Sequence, residues 1–373
     1  MPTLVQFGAG NIGRGFIAPL FTAAGWEVVF VEVAPALVAA LAARGGYRVH
    51  ASDEHGTATT VVGGVRVVEG RDLEAVAAAV QGADLAATAV GLAVLPRLAA
   101  PLAVGVRRRD GRPLDVLVCE NGLDAAAILA GAVAAQGARI GAVRTSIGRM
   151  IPPPAAGADP LDLVVEPYCH LPVERASFTG PVPMVADLHP EDDFDAVIRR
   201  KLYLHNLTHA CLAYAGHLRG LPTIAACMAD AQLADHACAA GMEAASALAR
   251  ARRGGLVEEI AYLNRLLQRY RNPLLQDPVA RVARDPWRKL AGDDRLLGAL
   301  GLCLAQGVAA PAITAAVLDA CRYRPAADEP RAAEFLALQA RGPLAQVAAV
   351  AGLAEADPRL AALRQQLASA QAA

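Results

Sequence analysis

The run Gly8-Ala9-Gly10-Asn11-Ile12-Gly13 follows the apolar segment Leu4 to Phe7 directly and opens a helical pattern over Ile12 to Ala24. A strand that turns into a helix through glycines at this G-x-G-x-x-G spacing predicts a βαβ unit. The glycines permit a tight turn, close approach of backbone to a pyrophosphate, and close packing of helix on strand. The helix N-terminus then offers unpaired N–H groups to phosphate. A second strand, Val28 to Glu32, and a second helix, Pro35 to Arg44, complete the unit. Glu32 stands 19 residues after Gly13, where a carboxylate accepts hydrogen bonds from ribose hydroxyls and repels a 2′-phosphate. No arginine follows it in Val33-Ala34-Pro35, so the pattern predicts NAD rather than NADP, held by Gly8, Gly10, Asn11, Ile12, Gly13 and Glu32. The competing reading is a plain connector in an unrelated α/β fold.

Further strands are expected at Ala83 to Val90 and Val116 to Cys119, with a helix over Ala125 to Gln136. Such alternation calls for a parallel sheet with helices on both faces. Thr88-Ala89-Val90-Gly91, at the end of one of these strands, places Thr88 and Val90 along the nicotinamide half of the cofactor. Tyr47 to Val68 reads as short strands inserted into the pattern, and Leu163 to Val165 and Tyr168 to Val173 as later ones. Pro152-Pro153-Pro154 with Ala155-Ala156-Gly157 reads as a rigid loop. Helical periodicity takes over from Glu191. The expected architecture is α/β, with a Rossmann-type dinucleotide-binding domain with inserted strands over 1–188 and a mostly α-helical domain over 189–373.

Composition narrows the class of partner. A net charge of −1, from 35 basic and 36 acidic residues, gives no general field for nucleic acid or an anionic membrane. The apolar stretch Leu85 to Leu95 ends at Pro96, well short of the roughly 20 residues a membrane span needs. The chain opens with no basic leader ahead of an apolar block. Seven cysteines without a C-x-x-C pair fit a reduced, cytoplasmic protein. With no apolar stripe calling for a partner, a monomer acting on a small molecule is expected.

The most informative segment is Arg199-Arg200-Lys201-Leu202-Tyr203-Leu204-His205-Asn206-Leu207-Thr208-His209. On a regular α-helix His205, His209 and Asn206 lie roughly 40°, 80° and 140° around from Lys201. Asn206 and His209 stand about 7.5 Å and about 12 Å further along the axis. Such a polar row suits an extended, multiply hydroxylated substrate. Hydride removal from a secondary alcohol needs a base, and a lysine serves once its pKa falls from about 10.4 to about 7–8. An asparagine amide can donate to the developing alkoxide. Two other readings compete. Lys201 and the histidines could be ordinary solvated residues, or His205 and His209 could be a zinc pair at i, i+4. No glutamate lies between the histidines and no cysteine cluster supports zinc, so no metal is expected.

The K-x4-N-x2-H spacing of Lys201, Asn206 and His209, with Phe7 to Ile17 reading FGAGNIGRGFI, resembles the polyol-specific long-chain dehydrogenase (mannitol dehydrogenase) family. The likeness continues through Tyr270-Arg271-Asn272-Pro273-Leu274, Arg288-Lys289-Leu290, Asp294-Arg295-Leu296 and Arg322-Tyr323-Arg324. It implies that Lys201 is the general base of an NAD-dependent, metal-free oxidation of a sugar alcohol or its phosphate. Asn206 and a second asparagine, Asn121, would polarise the reacting oxygen, and His209 would orient substrate. The short chain is similar to the sugar-alcohol-phosphate branch, whose substrate needs a cation for its phosphate; Arg322, Arg324, Arg288 and Lys289 are the candidates. A dehydrogenase of an unphosphorylated polyol or sugar acid is the alternative, and an NAD-responsive binding protein without turnover is a third. Two departures stand out. Gly148 in Ile147-Gly148-Arg149 occupies a position where the family carries an acid, and Leu207-Thr208 replaces the commoner Thr-Gly.

Overall fold

The computed structural model describes residues 1–154 and 157–372, so Ala155 and Ala156 of the expected proline-rich loop lie outside the described residues. Two compact units emerge, Met1–Ile198 and Arg199–Ala373.

The first unit is built on a six-stranded parallel sheet. Its strands are β1 (Thr3–Phe7), β2 (Glu27–Glu32), β5 (Arg66–Glu69), β6 (Leu85–Thr88), β7 (Asp115–Val118) and β8 (Gly141–Arg144), in the order β5-β2-β1-β6-β7-β8. Counted along the sheet's own strands this is the 3-2-1-4-5-6 order of a doubly wound nucleotide fold. Every neighbouring pair is parallel. Alternation along the strands sends Leu4, Val28 and Phe30 into one apolar core and Val5, Val29 and Val31 into another. Both faces are thus covered, as parallel sheets require. The helices are α1 (Ala18–Ala23), α2 (Pro35–Arg44), α3 (Leu73–Gly82), α4 (Ala99–Arg107) and α5 (Ala125–Ala135). Asp72 caps α3 by accepting from Ala75 N–H at 3.0 Å.

The insertion is shorter than the sequence pattern suggests. Strands β3 (Gly46–Asp53) and β4 (Gly56–Gly63) form an antiparallel hairpin, joined by β9 (Leu163–Val165) into a separate sheet. Val67 and Val68 belong instead to β5, an edge of the main sheet paired with β2. The last strands, β10 (Leu171–Glu174) and β11 (Leu188–Glu191), pair in parallel. The unit extends past residue 188 because β11 pairs with β10 and Asp195 takes an ion pair from Arg144 at 2.7 Å.

The second unit is helical. A helix beginning as α6 (Phe194–Arg200) passes through a π turn at Lys201–Asn206 and continues as α7 (Leu207–Leu218). There follow α8 (Ile224–Ala229), α9 (Ala231–Arg252), α10 (Leu256–Tyr270), α11 (Val279–Ala283), α12 (Pro286–Lys289), α13 (Leu297–Ala305), α14 (Pro311–Arg322), α15 (Ala332–Gln339), α16 (Pro343–Ala351) and α17 (Pro358–Ala372). Helix α9 packs against α7, α10, α13 and α14. Its alanine-rich face and Gly241 make that possible, since a Cβ at Gly241 would stand 2.5 Å from Leu263 Cδ1. No described helix is long and apolar enough to cross a membrane. All seven cysteines are free thiols.

Candidate active site

The glycine turn divides its labour. Gly8 has φ +89°, and a Cβ there would stand 2.5 Å from Ala89 O; one at Gly13 would stand 2.2 Å from Gly8 O. Both glycines are required by the fold. Gly10 is different, because nothing lies within 4 Å of its Cβ position. That open space is what close approach of a pyrophosphate needs. Asn11 donates its side-chain amide to Pro152 O at 3.3 Å, and Ile12 packs against the core.

Glu32 ties the turn to the second strand. Its carboxylate accepts from Ala9 N–H at 2.8 Å and from Val33 and Ala34 N–H at 2.7 and 2.9 Å. A carboxylate offers about four acceptor positions, so room remains for a ribose hydroxyl. Arg14, which the sequence reading passed over, is buried behind the turn. It donates to Ala9 O at 2.5 Å and to Pro160 O and Leu161 O, while Tyr47 Oη donates to Arg14 O at 2.8 Å. A buried guanidinium satisfied by carbonyls is an expensive anchor that holds one geometry.

The end of β6 carries another unanticipated clamp. Glu120 accepts from Val90 N–H and Gly91 N–H, both at 2.9 Å. Burial raises its pKa, against the pull of these backbone hydrogen bonds. Thr88 is fully buried at the strand end, and Asn121 follows Glu120 on an exposed loop. Gly148, the departure noted above, faces Tyr168: an added Cβ would meet the ring at 3.5 Å, an ordinary contact.

In the second unit the π turn rearranges the polar row. Leu207 N–H bonds to Leu202 O, five residues back rather than four. Lys201 and Asn206 are also five apart, so they fall about one hydrogen-bonded turn from each other, closer in azimuth than the 140° of a regular α-helix. Segments of this kind concentrate at functional sites. Lys201 is pushed down to about 7, by burial first and then by the positive charges of Arg295 and Arg288, with Asp294 opposing. The amine is therefore half neutral near physiological pH.

The histidines are fixed by partners outside the motif. His209 Nε2 lies 3.1 Å from Asp277 Oδ2, and its ring stacks on Tyr270 at 4.9 Å. Arg281 holds the other Asp277 oxygen through Nε at 2.8 Å and Nη2 at 2.5 Å. Burial lowers the His209 pKa although Asp277 opposes it. A neutral ring beside a carboxylate makes Nε2–H the donor, leaving Nδ1 as acceptor. His205 is buried, its pKa far below normal through burial, and its Nδ1 has no partner among the described residues. Tyr270 Oη donates to His205 O at 2.8 Å. Among the described residues no three His, Cys, Asp or Glu gather into a metal site. Thr208 is fully buried and donates to Leu204 O at 2.7 Å; its methyl packs at Gly241, which leaves the space for it.

The four phosphate candidates separate. Lys289 is buried, its ammonium bonded to Arg284 O, and is lowered to about 7 by burial and by Arg295 and Arg288. Arg288 is paired with Asp285 at 2.9 Å, and its charge reaches Lys201. Arg322 is exposed and paired with Asp319 at 3.4 Å, and Arg324 is exposed. Lys201 and Lys289 each lie in the fields of Arg288 and of Arg295, a residue that the sequence offered only as part of the family likeness.

A doubly wound nucleotide unit followed by a helical unit with a lysine poised near neutrality, an asparagine and a histidine defines a dehydrogenase. The comparisons agree and say which kind. The family model for the mannitol dehydrogenase Rossmann domain matches residues 2–186, and that for the mannitol dehydrogenase C-terminal domain matches residues 193–363. The chain belongs to the mannitol dehydrogenase family. It is 37% identical over 350 residues to mannitol-1-phosphate 5-dehydrogenase of Brevibacillus brevis, covering 90% of this chain and 89% of the relative. In fold it is similar to Pseudomonas fluorescens mannitol 2-dehydrogenase, solved as a ternary complex with NAD and D-mannitol. The TM-score is 0.79 at 15% identity, over 99% of this chain and 92% of that one. It is also similar to substrate-free D-sorbitol dehydrogenase, with TM-score 0.70 at 15% identity over 86% and 80% of the two chains.

Proposed function

We propose that this protein oxidises D-mannitol 1-phosphate to D-fructose 6-phosphate with NAD, reversibly and without a metal. The observation that carries the reading is Lys201, lowered to about 7 at the head of the π turn that also bears Asn206. Support for the substrate comes from the 37% identical relative. The residues present fit NAD: Gly10 leaves open space, and Glu32 keeps an acceptor position at the end of the second strand. Bound NAD supplies the hydride acceptor.

The chain supplies the proton chemistry. Neutral Lys201 takes the hydroxyl proton as the carbon gives up its hydride, and returns it when the ketone is reduced. Asn206 and Asn121 donate hydrogen bonds to the developing alkoxide, which stabilises charge without adding a titrating group. His209, neutral and tied to Asp277, accepts from a substrate hydroxyl. Arg288 and Lys289 contribute positive potential toward a phosphate.

Initial rates with mannitol 1-phosphate, mannitol and altronate, each with NAD, test the substrate. Preference for the phosphate is expected, and preference for either unphosphorylated compound would reject it. Lys201→Ala should abolish oxidation while fluorescence titration still detects NAD binding. An active variant would remove the mechanism, and chelator inactivation reversed by zinc would restore the metal alternative.

A further inference from the structure

Within the second unit, the turn after α12 packs on the π turn. Tyr203 Oη donates to Asp293 O at 3.4 Å, and Gly298 lies so close that an added Cβ would stand 2.7 Å from Tyr203 Oη. This turn carries Asp294 and Arg295. Asp294 Oδ1 accepts both the backbone N–H and Nε–H of Arg295, each at 2.6 Å, which fixes the side chain along its stem. Only 12% of the Arg295 side chain is exposed. Among the described residues neither terminal nitrogen of its guanidinium has a hydrogen-bond partner.

The other cations of this region are differently placed. Arg281 is committed to Asp277 through Nε and Nη2, and Lys289 to a carbonyl, while Arg288 gives only Nε to Asp285 and has 44% of its side chain exposed. Arg288 and Arg295 thus both keep an open fork, and of the two Arg295 is the one whose side chain is mostly buried. Its charge acts on Lys201, His205, His209 and Lys289. The buried, unpartnered Nδ1 of His205 is a second unfilled polar position in that cluster. A planar guanidinium with two donor nitrogens matches phosphate oxygens bidentately, which an ammonium cannot.

We propose that Arg295 is the specificity-determining residue of this enzyme, and that its open fork binds the phosphate of the substrate. The inference rests on the proposed function, because it requires a phosphorylated polyol. It replaces Arg322 and Arg324, which stand exposed on the surface, as the direct phosphate ligand. Desolvation of the pair makes the contact strong, and removal of one partner then leaves the phosphate poorly compensated.

The test compares wild type, Arg295→Gln and Arg295→Lys with NAD and either mannitol 1-phosphate or mannitol. Each variant is assayed on the plateau of its own pH profile, so altered basicity of Lys201 does not enter. Arg295→Gln should raise KM for mannitol 1-phosphate by about 30- to 1000-fold. Its KM for mannitol should stay within a few-fold of wild type. Arg295→Lys, which keeps the charge and the fold but loses the fork, should fall between. Inorganic phosphate should compete with mannitol 1-phosphate in wild type and lose that competition in Arg295→Gln. A wild type that prefers the phosphorylated substrate and an Arg295→Gln that retains the preference would overturn the role of Arg295 alone. Equal loss on both substrates in both variants would also overturn it. A wild type indifferent to the phosphate would overturn the proposed function and this inference together.

Discussion

Replacing Lys201 by methionine should destroy activity and stabilise the second unit, and the size of the gain should depend on pH. The side chain keeps its length and apolar stem but loses a group held against its ordinary protonation. The fall from 10.5 to about 7 corresponds to about 5 kcal/mol at 1.36 kcal/mol per pH unit. Part of Lys201 reaches solvent, so about 2–3 kcal/mol is the expected gain. Below pH 7 the amine is protonated in both folded and unfolded chains, and the folded protein carries the full cost of the buried charge. Between pH 7 and 10.5 the folded chain has lost a proton that the unfolded chain keeps, so wild-type stability rises with pH. Above that range both forms are neutral and the cost is gone. Urea unfolding followed by fluorescence reads this directly, because of the two tryptophans only Trp287 lies in the second unit. In a Trp26→Phe background, Lys201→Met should be more stable than its parent at pH 6 and indistinguishable from it near pH 10. A variant no more stable at pH 6, or a gain of constant size across the range, would refute a desolvated amine and with it the base.

Two further perturbations separate binding from folding. Gly10→Ala should leave thermal stability nearly unchanged and weaken NAD by tenfold or more in a fluorescence titration. Gly8→Ala, at φ +89° and facing Ala89 O, should instead lower Tm sharply before any ligand is added. Asp277→Asn should raise KM more than it lowers kcat, because His209 loses the carboxylate that sets its tautomer and Arg281 loses its partner. The Asp277 pKa is lowered: burial raises it, but bonds from His209 and Arg281 prevail. Its stabilisation is therefore present above the ordinary aspartate pKa and lost as pH falls through the folded value. The stability difference between Asp277→Asn and wild type should accordingly shrink in acid, as measured by denaturant unfolding at pH 7 and pH 3.5.

What could be read from the sequence followed from how locally each feature is encoded. The glycine turn and strands β1 and β2 were legible because turn, strand and helix signals lie within one βαβ unit. Lys201, Asn206 and His209 were legible as a motif but not as a geometry. A spacing of five residues sets Lys201 and Asn206 about 140° apart on one broad face of a regular α-helix and draws them closer once a π turn closes between Leu202 and Leu207, and no pattern of apolar residues announces that turn. The contacts of Asp277, Tyr270 and Arg295 with the motif were illegible for a different reason, although Tyr270 and Arg295 stand in segments that carry the family likeness. Each reaches the motif across a long stretch of chain, and an isolated aspartate, tyrosine or arginine carries no periodic signal. The same limit explains the mistaken extent of the insertion, since Val67 and Val68 look like any exposed strand until pairing with β2 gives them a partner. Burial made the difference at the phosphate candidates. Arginines at 288, 295, 322 and 324 are equivalent letters in the sequence, and what distinguishes them is exposure: Arg322 and Arg324 stand on the surface and Arg288 is 44% exposed, whereas Arg295 is 12% exposed. Asp294 takes only Nε of Arg295, and so leaves the half of the guanidinium that recognises phosphate open.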